Sequence, residues 1–278
     1  MPCRLFPSAA APSTALPPEL LTRVFTFAVR LDPPRMSAAM EKHLGWIRVS
    51  HVCRYWRDVA LGARILWRHI DIGELSHRWH TEMLGRSGAT PLHITSGSPR
   101  PGPIDVLPDV LDNHFFRIAE LDVVVSPEND GTCDRLGDIF TPPAPLLEEV
   151  RIESCSASMA TMITPDQTGD GAAGFAPKLR SISLYDCRFS FYRFPIYPRL
   201  TYLAITMNVN KHPYPFVELN TSQSQRLNNF ISSLQGMPCL ESLILQGCLP
   251  CFIAETLPRD VHHRPPQTFL SRSLWPDH

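Results

Sequence analysis

Three clusters in this chain of 278 residues bring together residue types that can do chemistry. Gly169, Gly171 and Gly174 spell Gly-x-Gly-x-x-Gly, a spacing that lets backbone amides approach a pyrophosphate at a helix start. That motif needs a strand running into its first glycine. None does here, and Pro177 follows almost at once, so a loop between elements is the better reading. Cys248 and Cys251 form a Cys-x-x-Cys, half of a zinc site or a redox pair. No second pair stands at metal spacing, although His262 and His263 lie downstream, and no metal is assigned. Asp166 and Asp170, with Gly171, lack the remaining oxygen ligands of a calcium loop. The Glu148–Glu149 pair reads as a solvated face beside a strand. The eleven histidines come without a Gly-x-Ser-x-Gly elbow or a His-Glu-x-x-His helix, and His51 reads as an edge residue of an amphipathic helix rather than a base. The expectation is a protein that is not an enzyme and needs no cofactor; a hydrolase with scattered catalytic residues is the remote third option.

The bulk numbers set the class. A hydrophobic content of 44% supports a sizeable core, expected as one small module and one larger domain. A net charge of -1 lacks the global field that attracts phosphates or anionic lipid, so neither nucleic acid nor membrane is expected as a partner. The 28 prolines outnumber the 14 glycines and punctuate the chain, which predicts many short elements. Residues 1–15 hold no signal-peptide core and are expected to be disordered, and no later run approaches the roughly 20 apolar residues of a membrane span. The eight cysteines are scattered, which predicts reduced thiols and a cytoplasmic or nuclear protein. Asn220-Thr221-Ser222 is then a glycosylation acceptor in form only.

Two amphipathic helices dominate the first quarter. Leu20, Leu21, Val24, Phe25 and Ala28 share one helical face, with Pro17 suited to a first helical position and Glu19 to the positive helix start. Between Trp46 and Trp67, Val49, Val52, Cys53, Trp56, Val59 and Ala60 recur at steps of three and four and predict a second helix, whose wet face holds Arg48, Arg54, Arg57 and Asp58. Two such helices have too little mutual surface to bury every anchor, so a partner is expected to cover the rest.

These residues resemble the F-box, the helical module by which many proteins dock onto the Skp adaptor of cullin-based ubiquitin ligases. Its first half, Leu-Pro-x-Glu-Leu-Leu and an aliphatic-Phe pair, appears as Leu16, Pro17, Glu19, Leu20, Leu21, Val24 and Phe25. The second half appears as Ile47, Val49, Val52, Cys53, Trp56, Arg57, Leu66 and Trp67. The departure is residues 30–45, a longer joint than the module needs, read as a loop insertion turned by Asp32, Pro33 and Pro34. The resemblance implies Skp-adaptor contacts by Leu16, Pro17, Leu20, Leu21, Val24, Phe25, Ile47, Val49, Val52, Cys53, Trp56 and Trp67.

From residue 68 short strands take over. Arg68–Ile72 and Pro91–Thr95 alternate as half-buried strands do, with a helix expected over Glu74–Leu84. Four quartets then repeat Leu-x-x-Leu-x-Leu-x-x-Asn/Cys: Leu147, Val150, Ile152, Cys155; Leu179, Ile182, Leu184, Cys187; Leu200, Leu203, Ile205, Asn208; and Leu240, Leu243, Leu245, Cys248. Pro145, Pro177, Pro198 and Pro238 stand two residues ahead of each. Ile118, Leu121 and Val123 form a weaker unit after a helix expected over Val106–Phe116, and Leu227, Phe230, Ile231 and Leu234 predict another helix. The pattern resembles the leucine-rich repeat, which implies one strand per unit in a curved parallel sheet and buried filler roles for Cys155, Cys187 and Cys248.

The expected architecture is therefore an α/β solenoid: an α-helical F-box over 16–67, an irregular leucine-rich-repeat horseshoe over 68–250, and a tail over 251–278 that acts as a degenerate cap through Phe252, Ile253, Phe269 and Leu270 or marks a truncated relative. The expected function is a substrate receptor of a Skp/cullin/F-box ligase, holding an unidentified protein substrate on outward strand positions Arg151, Glu153, Ser183, Tyr185, Tyr202, Thr206 and Gln246, with Ser181, Thr201 and Ser242 beside them. A Skp-bound scaffold or degenerate copy without a ligase role is the alternative.

Overall fold

The computed structural model describes residues 16–36, 42–73, 76–96, 106–124, 143–153, 176–187, 197–208, 228, 231–232 and 234–247. The Gly169–Gly174 motif, Asp166, Asp170, Cys155, Cys248, Cys251, His262, His263 and the proposed tail cap lie outside these residues.

Helix α1 spans Pro18–Leu31, one residue later than Pro17 suggests: Pro17 sits just outside, its carbonyl accepting from the Leu20 and Leu21 amides at 3.1 Å. The chain then closes a short excursion rather than a plain loop. Strands β1 (Arg35–Met36) and β2 (Lys42–His43) pair antiparallel inside the 30–45 insertion. Asp32 ties its two ends: the carbonyl accepts from Trp46 N at 2.7 Å, and the carboxylate from Arg48 Nη2 at 2.7 Å. Gly45 lies at φ +52°, and a Cβ there would strike the Asp32 and Pro33 carbonyls, so only glycine passes this corner.

The second helix expected between Trp46 and Ala60 is broken in two. Residues Gly45–His51 form a 3₁₀ helix, and α2 begins only at Arg54 and ends at Gly62. Cys53 is the reason. It is extended (φ -157°, ψ 170°) and its Sγ accepts from Trp56 N at 3.5 Å, a weak thiol cap that starts a new helix. Arg57 Nε bridges the break to Ser50 O at 2.9 Å. The packing expected of Trp56 survives, edge-on to Phe25 at 5.2 Å. A second 3₁₀ helix, Arg64–Trp67, brings Trp67 under Trp46 at 5.0 Å with its indole N–H on Ala60 O at 2.9 Å.

Seven parallel strands follow in strict sequence order: β3 (His69–Asp71), β4 (Leu92–Thr95), β5 (Ile118–Val124), β6 (Glu149–Glu153), β7 (Ser181–Tyr185), β8 (Tyr202–Thr206) and β9 (Ser242–Gln246). Helices α3 (His77–Ser87) and α4 (Val106–His114) connect the first three. Helix α3 starts and ends three residues later than expected, and α4 stops short of Phe116, where a 3₁₀ turn over Phe115–Arg117 leads into β5. Of the helix expected around Phe230, residues 228, 231, 232, 234 and 235 are helical.

The prolines ahead of the quartets have a local job. In each case the residue before the proline offers its carbonyl to the quartet's first leucine: Ala144 to Leu147 (3.2 Å), Ala176 to Leu179 (3.1 Å), Tyr197 to Leu200 (3.0 Å) and Met237 to Leu240 (3.1 Å). Each is a β-turn with proline at its second position, where a fixed φ is already correct. Register then aligns Leu121, Val150, Ile182, Leu203 and Leu243 in one inward row and Val123, Ile152, Leu184, Ile205 and Leu245 in the next. Cys187 is fully buried as the filler reading requires, its Sγ 3.6 Å from Ile152 O. One hydrophobic core runs without interruption from Leu21 through Trp67 and Ile70 to Met237, so the helical module and the sheet are packed together. Arg86 over the Trp67 ring, at 4.9 Å, adds a cation–π contact to that joint.

Candidate protein-binding surfaces

Helix α1 carries two apolar stripes. Leu21, Phe25 and Val29 are buried, whereas Leu20 (46%), Val24 (52%), Phe27 (66%) and Leu31 (83%) remain exposed. At 100° per residue the stripes lie about 130° apart, too far for one neighbour to cover both. Val52, exposed at 57% in the break before α2, Leu61, Ile65 and Leu16 add to the uncovered apolar surface. A groove between α1 and α2 is lined by Pro18, Thr22, Tyr55, Val59 and Ile65. Tyr55 donates its hydroxyl to Leu16 O at 2.8 Å and holds the entry to α1 in place.

This geometry sorts the residues expected to contact an adaptor. Leu16, Pro17, Leu20, Val24 and Val52 are exposed, and Val49, Cys53 and Trp56 are half-buried. Leu21, Phe25, Ile47 and Trp67 are buried in the module's own core and have no surface to present. Those four shape the module from inside. Phe27 and Leu31 went unread in the sequence because the quoted pattern stops at Phe25; the spacing Leu16, Leu20, Val24, Phe27, Leu31 is the signal that could have found them.

The second surface is the side of the sheet away from the core. All seven predicted reader positions lie on it: Arg151 and Glu153 on β6, Ser183 and Tyr185 on β7, Tyr202 and Thr206 on β8, and Gln246 on β9, each exposed or half-buried. Ser181 and Ser242 share the first outward row, while Thr201 precedes β8, its hydroxyl on Arg180 O at 3.0 Å.

The end of this face next to the helical module is electrostatically crowded. His69 and His93 lie with ring centroids 4.4 Å apart and planes tilted by 49°, and His93 Nδ1 meets Glu120 Oε2 at 2.5 Å. Burial, then the neighbouring ring and the Arg68 and Arg30 charges, lowers the His69 pKa to about 4; burial and the same arginines do so for His93. The bonding agrees. Arg68 Nε donates to His69 Nε2 at 3.2 Å, which requires a free lone pair there, and a neutral His93 can donate its Nδ1 proton to Glu120. Burial also raises Glu120, Asp122 and Glu149 above the usual carboxylate range.

Comparison with known families decides what the N-terminal module is. Residues 14–73 match the F-box-like family model. No curated protein and no solved structure matches the chain. The F-box-like domain spans the helices, the broken joint and β3, and its outer stripe is the one left uncovered. Such domains are typical of non-catalytic subunits of SCF-type ubiquitin ligases and imply a Skp-type adaptor as partner. Among the described residues, no cluster of His, Cys, Asp or Glu could hold a metal ion, and no helix is long and apolar enough to cross a membrane.

Proposed function

We propose that this chain is the substrate-recognition subunit of an SCF-type ubiquitin ligase. Its F-box-like domain docks on a Skp-type adaptor, and through it a cullin, by the exposed stripe Leu20, Val24, Phe27 and Leu31 with Val52. The seven-stranded sheet, as the inner lining of a leucine-rich-repeat-like solenoid, presents its outward face to a protein substrate. Ubiquitin transfer belongs to the cullin-bound machinery; this chain contributes recognition and proximity.

The carrying observation is that the family match falls on a module with a second, unburied apolar stripe. Covering one large apolar side chain is worth about 1.5–3 kcal/mol, so the four on α1 can outweigh the ordering and association costs of a specific complex. Co-purification with a Skp-type adaptor tests this, using the wild-type chain against Leu20→Glu plus Val52→Glu. Both sites are solvent-exposed, so the double variant is expected to stay folded and lose capture. Failure of well-folded wild type to capture the adaptor removes the proposal.

A second reading, a Skp-bound scaffold that targets nothing for degradation, is favoured by β9, where Leu243 (40%) and Ile244 (42%) stand exposed at the end of the sheet. Proteasome-dependent turnover of bound proteins separates the two: the receptor shortens their lifetimes, and the scaffold leaves them unchanged.

A further inference from the structure

The open face of the sheet changes character along the strand order. On β5 and β6 its outward positions include Glu120, Asp122, Glu149 and Glu153 against the one cation Arg151, whose Nε lies 3.8 Å from Asp122. On β7, β8 and β9 the outward positions carry no formal charge. There Ser183 and Ala204 are paired neighbours in the middle row, with Tyr185 and Tyr202 in the rows on either side.

We propose that this face receives an extended protein segment that sets a lysine or arginine over β5–β6 and an apolar side chain over β7–β8. The inference rests on the reading of the sheet as a substrate surface and names the class of substrate. The acidic end holds more negative charge than its own cations offset. Arg151 lowers Asp122 and Glu149, and Arg68 and Arg30 lower Glu120, but burial prevails at all three, with repulsion from Glu148 adding to it at Glu120 and from Glu120 and Asp122 at Glu149. An incoming cation relieves that repulsion, while an acidic segment or a nucleic acid adds to it. At the uncharged end, small side chains on Ser183 and Ala204 leave room between two tyrosine rings, an amphipathic seat for an apolar side chain.

Spacing makes the proposal specific. From the gap between β5 and β6 to the gap between β7 and β8 is two strand separations, about 9.6 Å. Polyproline II backbone rises about 3.1 Å per residue and repeats its direction every third residue, so side chains at i and i+3 meet both seats from one side.

The test uses the full chain bound to its adaptor and three short proline-rich probe peptides: one with Arg and Leu three residues apart, one with Glu replacing Arg, and one with Ser replacing Leu. The Arg–Leu probe is expected to bind about tenfold or more tightly than either control, and to weaken as salt rises from about 50 to about 300 mM. Asp122→Asn with Glu149→Gln should cost the Arg–Leu probe about tenfold and flatten its salt dependence; Ala204→Tyr should erase the preference for Leu over Ser. Adaptor capture should survive in both variants. Equal binding of the Arg and Glu probes, or no binding of any probe by chain that captures the adaptor, overturns the inference and leaves the docking reading standing. Should the chain capture no adaptor, the probes are offered to the chain alone, and intact probe preference there overturns the docking reading instead.

Discussion

Helix α1 and strand β7 solve the same problem in opposite ways. Strand β7 buries Ile182 and Leu184 and turns Ser181, Ser183 and Tyr185 outward, so its apolar face is completed by its neighbours. Helix α1 buries Leu21, Phe25 and Val29 and leaves a second apolar stripe in water. Among the described residues the inward rows of the sheet are buried up to its last strand, whereas the outer stripe of the helix is exposed. An apolar stripe on a helix therefore carries two meanings, and only burial separates the residues that make the module from those it offers.

The largest effect expected is from breaking the inner stripe. Phe25 is fully buried against Trp56, and Phe25→Ala should destabilise the chain by about 3–5 kcal/mol through lost burial and the cavity left behind. Chemical denaturation would show this as a midpoint shift, with adaptor capture falling alongside. The outer stripe should behave oppositely: Val24→Ser, exposed on the same helix, should leave the midpoint within about 0.5 kcal/mol of wild type and still weaken capture. Equal destabilisation by the two would erase the distinction between the stripes.

A similar contrast holds for buried polar groups. Arg117 is buried, and its guanidinium donates to Gly88 O (2.7 Å), Ser87 Oγ (3.0 Å), and Leu84 O and Thr90 O (both 3.3 Å). These are acceptors at the carboxyl end of α3 and the turn behind it, where a cation also complements the helix dipole. Burial lowers the Arg117 pKa, but no carboxylate is needed to hold the charge. Arg117→Met fills similar space and strands those carbonyls, so a loss of about 2–4 kcal/mol is expected, read by denaturant midpoint. A loss under about 0.5 kcal/mol would mean water replaces the guanidinium.

The sequence carried the inner stripe and the strand rows because each is a short-range periodicity: Leu147, Val150 and Ile152 announce β6 without reference to any other strand. It could not carry Arg117, whose carbonyl and serine acceptors lie 27 to 33 residues earlier. Nor could it show the break at Cys53, because the residues on either side keep helical spacing and only an extended backbone at one position interrupts it. The residues expected to meet an adaptor were read without their orientation for the same reason. A family pattern records that Leu20 and Leu21 both matter, and the fold alone shows that one faces water and the other the core.

The histidines at the module end of the sheet face give a pH arm to the comparison. His69 and His93 stay neutral in the folded chain down to about pH 4, whereas unfolded histidine takes a proton near pH 6.5. Between those values the unfolded state binds more protons, so their contribution is full above about pH 6.5 and is lost as pH falls towards about 4. Partial exposure limits the effect to on the order of 1 kcal/mol, and the raised Glu120, Asp122 and Glu149 act in the opposite sense at the acid end. Thermal melts should therefore drop from pH 7 to pH 5.5, with a smaller drop in His69→Gln plus His93→Gln. The same drop in that variant would assign the pH dependence to other groups.

The smallest effect belongs to β9, where the sheet most resembles the outer stripe of α1. Ile244 pairs with Ala204 on the open face and is exposed, and Leu243, though aligned with buried Leu203, is exposed as well. An uncharged strand with apolar side chains on both faces is an edge that invites strand pairing between molecules. Ile244→Lys places a charge where β-sheet edges commonly carry one, and its stability change should be no more than about 0.5 kcal/mol. Light scattering of concentrated chain should nevertheless fall, because the substitution acts on association rather than folding. Unchanged scattering would mean that β9 is already covered, and the incomplete surface of this protein would then be confined to its helical module.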